Sequence, residues 1–144
     1  MPHTNDAGLA LIESFEGDKL LAYPDPGTGG EPWSIGYGHT ANVHPGEEIT
    51  QDQAVAFLKQ DVFVAEAAVE AAVEVDLTPN QFAALVSFEY NTGAPATATI
   101  FKLVNEKNFA SAAAAFGAWV YANGEVMEGL VRRRAAERVL FQTP

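Results

Sequence analysis

Cysteine is absent from the 144 residues, so neither a disulfide framework nor a thiolate metal site is available, and stability must come from packing. Basic residues are scarce. Eight Lys and Arg stand against 19 Asp and Glu, a formal net charge of −11. Phosphate contacts need clustered cations, which argues against nucleic acid as a general partner. Long apolar runs are also missing: no stretch reaches the roughly 18 to 20 apolar residues of a membrane span. The opening MPHTNDAGLALIESFEGDK has no cationic leader ahead of an apolar core of signal-peptide length. The chain is therefore expected to be soluble where it is made, without stable membrane insertion. It would need another agent to reach a target beyond a membrane.

What is present suits one compact core. With 48% apolar residues, the chain is long enough for a single domain and too short for two ordinary ones. TNDAGLALIESFEG reads as an opening helix, capped by Thr4 or Asn5, striped by Leu9, Ile12 and Phe15, and stopped by Gly17, which leaves Glu16 at the helix end. Residues 19–38 read as two strands around the turn-rich PDPGTGGEP, the only convincing β region.

From Thr50 onward the pattern is helical. Thr50 with Gln53, and Thr78-Pro79 with Gln81, are capping-box signatures that predict helices over 51–74, with a break allowed, and 79–91. Further helices are predicted near 97–105, over 109–121 after Asn108, and over 130–141, with a turn at 123–125. The expected fold class is α+β, with a small β-containing lobe over 1–50, an all-helical lobe over 51–144, and a ligand cleft between them. Asp52, Asp61, Glu66, Glu70, Glu74 and Asp76 face only Lys59 and read as a solvated helix face.

Two features of residues 15–40 carry chemistry. Strand alternation over 33–38 sends Trp33, Ile35 and Tyr37 to one face and Ser34, Gly36 and Gly38 to the other. Two glycines weaken a strand, so the bare face is either the floor of a ligand cleft or a tight hairpin packed under another segment. Glu16 and Asp25, nine residues apart, flank the first strand. Separated carboxylates on a cleft serve glycosidic hydrolysis, one as proton donor and one as base or nucleophile.

GLALIESFEG, LAYPDP, WSIGYGHT, LTPNQFAALVSFEYNTG and GLVRRRAAERVLF occur in the order and at about the spacings of the phage-type lysozymes, the endolysin family, which the chain resembles over almost its whole length. The resemblance implies a lysozyme-like fold. It also implies hydrolysis of the β-1,4 bond between N-acetylmuramic acid and N-acetylglucosamine in bacterial peptidoglycan glycan strands, with no metal or organic cofactor and a monomeric chain. An endolysin would stay in the host cytoplasm until released to the cell wall. Glu16 matches the family's general acid, Asp25 the carboxylate that assists the attacking water, and Ser34 a hydroxyl position that is usually Thr.

Ser34 lies nine residues after Asp25 where the family pattern has six. A three-residue insertion in PGTGGEPW accounts for this, because loops absorb insertions more easily than strands change register. Counting six by rote lands on Glu31, which reads as a solvated loop acid. In the expected mechanism, partial burial keeps Glu16 protonated while Asp25, in a wetter turn, joins Ser34 in orienting water for inversion. A lytic transglycosylase, and a non-catalytic wall-binding module on the same fold, are the alternative readings.

The resemblance further places Gly36, Gly38, Thr40 and Tyr90 along the sugar cleft, with Asn91 on the same wall; Tyr90 reads equally as core. Trp119 reads as core, and His39 as structural, with His3 and His44 outside metal spacing. Arg132, Arg133, Arg134 and Arg138 stand against Glu137 as a basic patch. It is either a solvated terminal helix or the source of one Arg that fixes a carboxylate in the cleft.

Overall fold

The computed structural model describes residues 2–144. Among these, six α-helices and two small antiparallel hairpins follow in the order α1 (Asp6–Glu16), β1 (Lys19–Tyr23), β2 (Ser34–Gly36), α2 (Gln51–Ala72), α3 (Pro79–Thr92), α4 (Thr99–Asn105), α5 (Phe109–Ala115), β3 (Tyr121–Ala122), β4 (Glu125–Val126) and α6 (Glu128–Gln142). The backbone forms two compact units, Glu13–Phe63 and Met1–Ile12 with Val64–Pro144. Their boundaries fall inside α1 and α2.

Local chemistry sets the helix ends. Asn5, rather than Thr4, caps α1, its Oδ1 accepting the Gly8 N–H at 2.9 Å, and Gly17 leaves the helix at φ 70°. Both capping boxes form. The Thr50 hydroxyl accepts from the Gln53 N–H while the Gln53 side chain accepts from the Thr50 N–H, and Thr78 and Gln81 repeat the exchange. The Asn108 side chain accepts from the Ser111 N–H at the start of α5.

In the Glu13–Phe63 unit, Lys19 pairs with Gly36 and Tyr23 with Ser34, across an irregular stretch of the β1–β2 ladder. On its other side β1 bridges Leu21 to Glu48. The extended strand predicted through residue 38 does not form. Ile35 and His39 exchange two 2.9 Å backbone hydrogen bonds, closing a tight turn in which Gly36 and Gly38 adopt φ 63° and 83°. These glycines supply left-handed turn backbone, not one face of a pleat. A Cβ at Gly36 would meet Ala54 Cβ at 3.3 Å, so its missing side chain makes room for α2.

The helix α2 is continuous. Ala54, Leu58, Val62, Ala65, Val69 and Ala72 are all buried, a spacing of three and four that keeps one stripe inward. The predicted acidic face departs from expectation at two positions. Glu66 is buried and accepts hydrogen bonds from both the Thr4 N–H and hydroxyl, while Asp61 takes His39 Nδ1 at 2.8 Å.

The other unit is built on α3 packed against α6. Phe88 makes edge contacts with Phe101, Phe116 and Trp119, and Phe116 with Phe141. This segment is not all-helical as predicted. Helix α5 ends at Ala115 in a 3₁₀ turn over Phe116–Ala118, and the Asn123-Gly124 turn carries β3 and β4. Asn123 and Gly124 both have positive φ, 53° and 78°, the backbone of a two-residue hairpin turn.

Candidate active site

Glu16 is the last residue of α1 and is half-buried. The turn closed by Ile35 and His39 carries Gly38 to it: a Cβ at Gly38 would stand 2.9 Å from Glu16 Oε2. No side chain larger than hydrogen fits there without moving the carboxyl. His39 holds the same turn from behind. Its ring is buried, stacks on Phe57 with centroids 4.2 Å apart and planes 8° from parallel, and pairs with Asp61. That setting is structural.

Asp25 and Ser34 lie at the two ends of the loop joining β1 to β2. The loop is knotted around Asp25. Asp25 Oδ1 accepts the Gly27 N–H at 2.9 Å, its carbonyl accepts the Thr28 and Gly29 N–H groups at 3.2 and 2.8 Å, and its own N–H donates to Gly30 at 3.0 Å. Ser34, half-buried, opens β2 opposite Tyr23. The insertion is accommodated before the strand begins. Glu31 is exposed at the end of that loop. Thr40 is exposed just past the turn, on the same unit as Glu16, Gly38, Asp25 and Ser34.

Tyr90 and Asn91 belong to the other unit, at the end of α3, Tyr90 half-buried and Asn91 exposed. Asn91 Oδ1 accepts from Arg134 Nη2 at 2.8 Å. Arg134 and Trp119 line a cavity of about 410 Å³ together with Asn91, Thr92, Tyr121 and Leu130. Trp119, expected in the core, thus packs its ring against Phe88 at 5.3 Å and also borders open space.

The basic patch of α6 divides in two. Arg132 and Arg138 are exposed, while Arg133 and Arg134 are buried around a fully buried Glu137. Glu137 Oε2 accepts from Ser87 Oγ at 2.6 Å, Arg134 Nη2 at 3.1 Å and Arg133 Nε at 3.4 Å. Arg134 Nε stands 2.7 Å from Glu137 Oε1, in ion-pair contact but off the line of a hydrogen bond. Burial pushes the Glu137 carboxyl up and the Arg134 guanidinium down, against the attraction between them. The i,i+3 and i,i+4 spacing of Glu137 from the two arginines was visible in the sequence, and it marks a buried three-residue cluster where a solvated terminal helix was one reading.

One titratable group went unremarked in the sequence. Glu89, on α3, is buried, and burial raises its carboxyl to about 7. Its signal was position. It ends the run Phe82 to Phe88, in which every residue is buried.

Among the described residues no group of three or more His, Cys, Asp and Glu could hold a metal ion, and no helix is long and apolar enough to cross a membrane.

Known proteins resemble this chain in sequence and fold. The chain is 39% identical to an endolysin of Acyrthosiphon pisum secondary endosymbiont phage 1, over 98% of this chain and 99% of that one. It is 43% identical to the endolysin of Bacillus phage PZA, covering 96% of this chain but only 55% of the longer relative. The muramidase domain of SpmX from Asticaccaulis excentricus superposes over all of both chains with a TM-score of 0.90 at 39% identity. The sequence model described as phage lysozyme matches residues 13–137, from the last turn of α1 to the buried Glu137 of α6, and on that match the chain belongs to the phage lysozyme family.

Proposed function

We propose that this chain is a peptidoglycan hydrolase of endolysin type, a muramidase that cleaves the β-1,4 bond between N-acetylmuramic acid and N-acetylglucosamine and so lyses bacterial cells. The observation that carries the reading is the Glu13–Phe63 unit itself. It holds a half-buried carboxyl seated against a glycine turn, and a second carboxyl held by the Gly27 amide in a loop that leads to a strand beginning with a hydroxyl. The names of the relatives support the same activity.

Glu16, in its protonated form, donates to the leaving sugar oxygen. Asp25 accepts a proton from the attacking water, and the Ser34 hydroxyl shares in orienting that water. The Ser side chain keeps the hydroxyl of the more usual Thr and lacks the methyl that restricts its rotamer. Water attacking from the face opposite the leaving group inverts the anomeric centre. Inversion requires the two carboxyls roughly 6.5 to 9.5 Å apart, where retention requires about 5 to 5.5 Å.

Proton NMR of the first-formed reducing ends tests both parts. Reducing ends of inverted configuration are expected. Retained configuration would replace the water-directing role of Asp25 by a covalent one, and 1,6-anhydromuramyl ends would replace hydrolysis by transglycosylation. Glycan strands of the cell wall are the partner. The chain acts as a monomer, kept in the host cytoplasm until released to the wall.

A further inference from the structure

The loop between Asp25 and Ser34 is closed by one side chain that the proposed chemistry does not use. Thr28 Oγ donates to the Glu31 carbonyl at 2.6 Å and accepts the Gly30 N–H at 3.2 Å. Gly30 is the residue whose carbonyl takes the Asp25 N–H, and the Thr28 and Gly29 N–H groups both return to the Asp25 carbonyl. The Thr28 hydroxyl therefore ties the far arm of the loop to the near arm. The hydrogen bond from Gly27 to Asp25 Oδ1 fixes the rotation of the carboxylate only while Gly27 keeps its place in that loop. One carboxylate oxygen, Oδ1, is held by the backbone.

Resting on the reading of Asp25 as the base, we propose that Thr28 is a positioning residue for the reaction. Its hydroxyl braces the loop that orients the Asp25 carboxylate. Thr28 is exposed, so its removal costs the fold little. The angle of a catalytic oxygen is far more sensitive, since displacements near 1 Å can cost about 100-fold in rate.

The experiment is a double-mutant cycle of Thr28→Ala and Asp25→Asn on soluble peptidoglycan glycan chains, with Thr28→Ser alongside. Thr28→Ala is expected to lower kcat about 5- to 30-fold with KM nearly unchanged, and Thr28→Ser to restore most of the loss. In the Asp25→Asn background the same Thr28→Ala change should have no further effect. Amide hydrogen exchange at Gly27 and Gly30 should accelerate in Thr28→Ala. A Thr28→Ala enzyme with parental kcat, or one whose loss is equally large in the Asp25→Asn background, overturns the positioning role. Parental activity in Asp25→Asn alone overturns the reading of Asp25 instead, so the two failures are distinct.

Discussion

Gly38 stands so close to Glu16 that a single added methyl group would come within 2.9 Å of the carboxyl Oε2. The turn that holds this contact also places Gly38 at φ 83°, a conformation that costs an L side chain roughly 1 kcal/mol. Gly38→Ala is therefore expected to strike twice. The fold should lose about 1 to 2 kcal/mol, read as a lowered midpoint in urea. Hydrolysis should fall by more than that loss explains, because the displaced group is the proposed acid. Unchanged turnover in a well-folded Gly38→Ala protein would separate the turn from the chemistry.

Replacing Glu137 by Gln keeps the shape of the side chain and removes the charge shared by Arg133 and Arg134. Two buried guanidiniums would then face a neutral acceptor. Breaking a buried ion pair from one side destabilises by about 3 to 5 kcal/mol, so Glu137→Gln should unfold at a much lower urea concentration than the parent. Arg132→Gln, whose 4.0 Å contact with Glu128 lies at the surface, should change the midpoint by less than about 1 kcal/mol.

Glu89 makes stability depend on pH in a definite sense. Burial raises its carboxyl to about 7 in the folded chain, against 4.5 for an ordinary exposed carboxyl. Between these values the folded chain holds a proton that the unfolded chain releases. Its contribution is favourable below about 4.5 and is lost as pH rises through 7. Glu89→Gln should therefore match the parent near pH 4 and exceed it at pH 8 by on the order of 1 to 3 kcal/mol. Thermal unfolding at the two pH values checks this, and an equal difference at both would contradict it.

The net charge of −11 sets the chain against the negative charge of bacterial walls and outer surfaces. Hydrolysis of permeabilised cells should accelerate as salt rises from low to moderate concentration, because screening shortens the range of repulsion to about 10 Å at 0.1 M. A steady fall with added salt would show that exposed cations such as Arg132 and Arg138 govern the encounter.

How much of this was legible in the sequence follows from the range of the interactions. Thr50 with Gln53 and Thr78 with Gln81 specify helix starts through partners three residues away, and both starts were read correctly. The pleated face given to Gly36 and Gly38 does not form, while the other reading, a tight glycine hairpin packed under another segment, agrees with the turn. Alternation and a glycine turn give the same residue pattern over six positions. The Ile35–His39 hydrogen bonds, the positive φ of both glycines and the Ala54 contact behind Gly36 separate them. The strands β3 and β4, two residues each, are too short to show alternation, and only the Asn-Gly dipeptide between them announced a hairpin.

Charges were misread where partners come from far along the chain. Glu66 bonds to Thr4, 62 residues away, and no local pattern announces that. His39 was read as structural, and its stacking on Phe57 and pairing with Asp61 give that reading a physical form. Glu16 and Asp25 stood out as separated carboxylates and Ser34 as a hydroxyl beside glycines, and the resemblance supplied the roles proposed for them. The backbone amides that hold Asp25 emerge only from the folded loop.

Proton donation by Glu16 is the central step of the proposed reaction, and Glu16→Gln tests it most directly. Release of reducing ends from permeabilised bacterial cells should fall by about 100- to 10,000-fold in this variant, with the circular dichroism and unfolding midpoint of the parent retained. A folded Glu16→Gln protein that releases reducing ends as fast as the parent would contradict the assignment and the mechanism built on it.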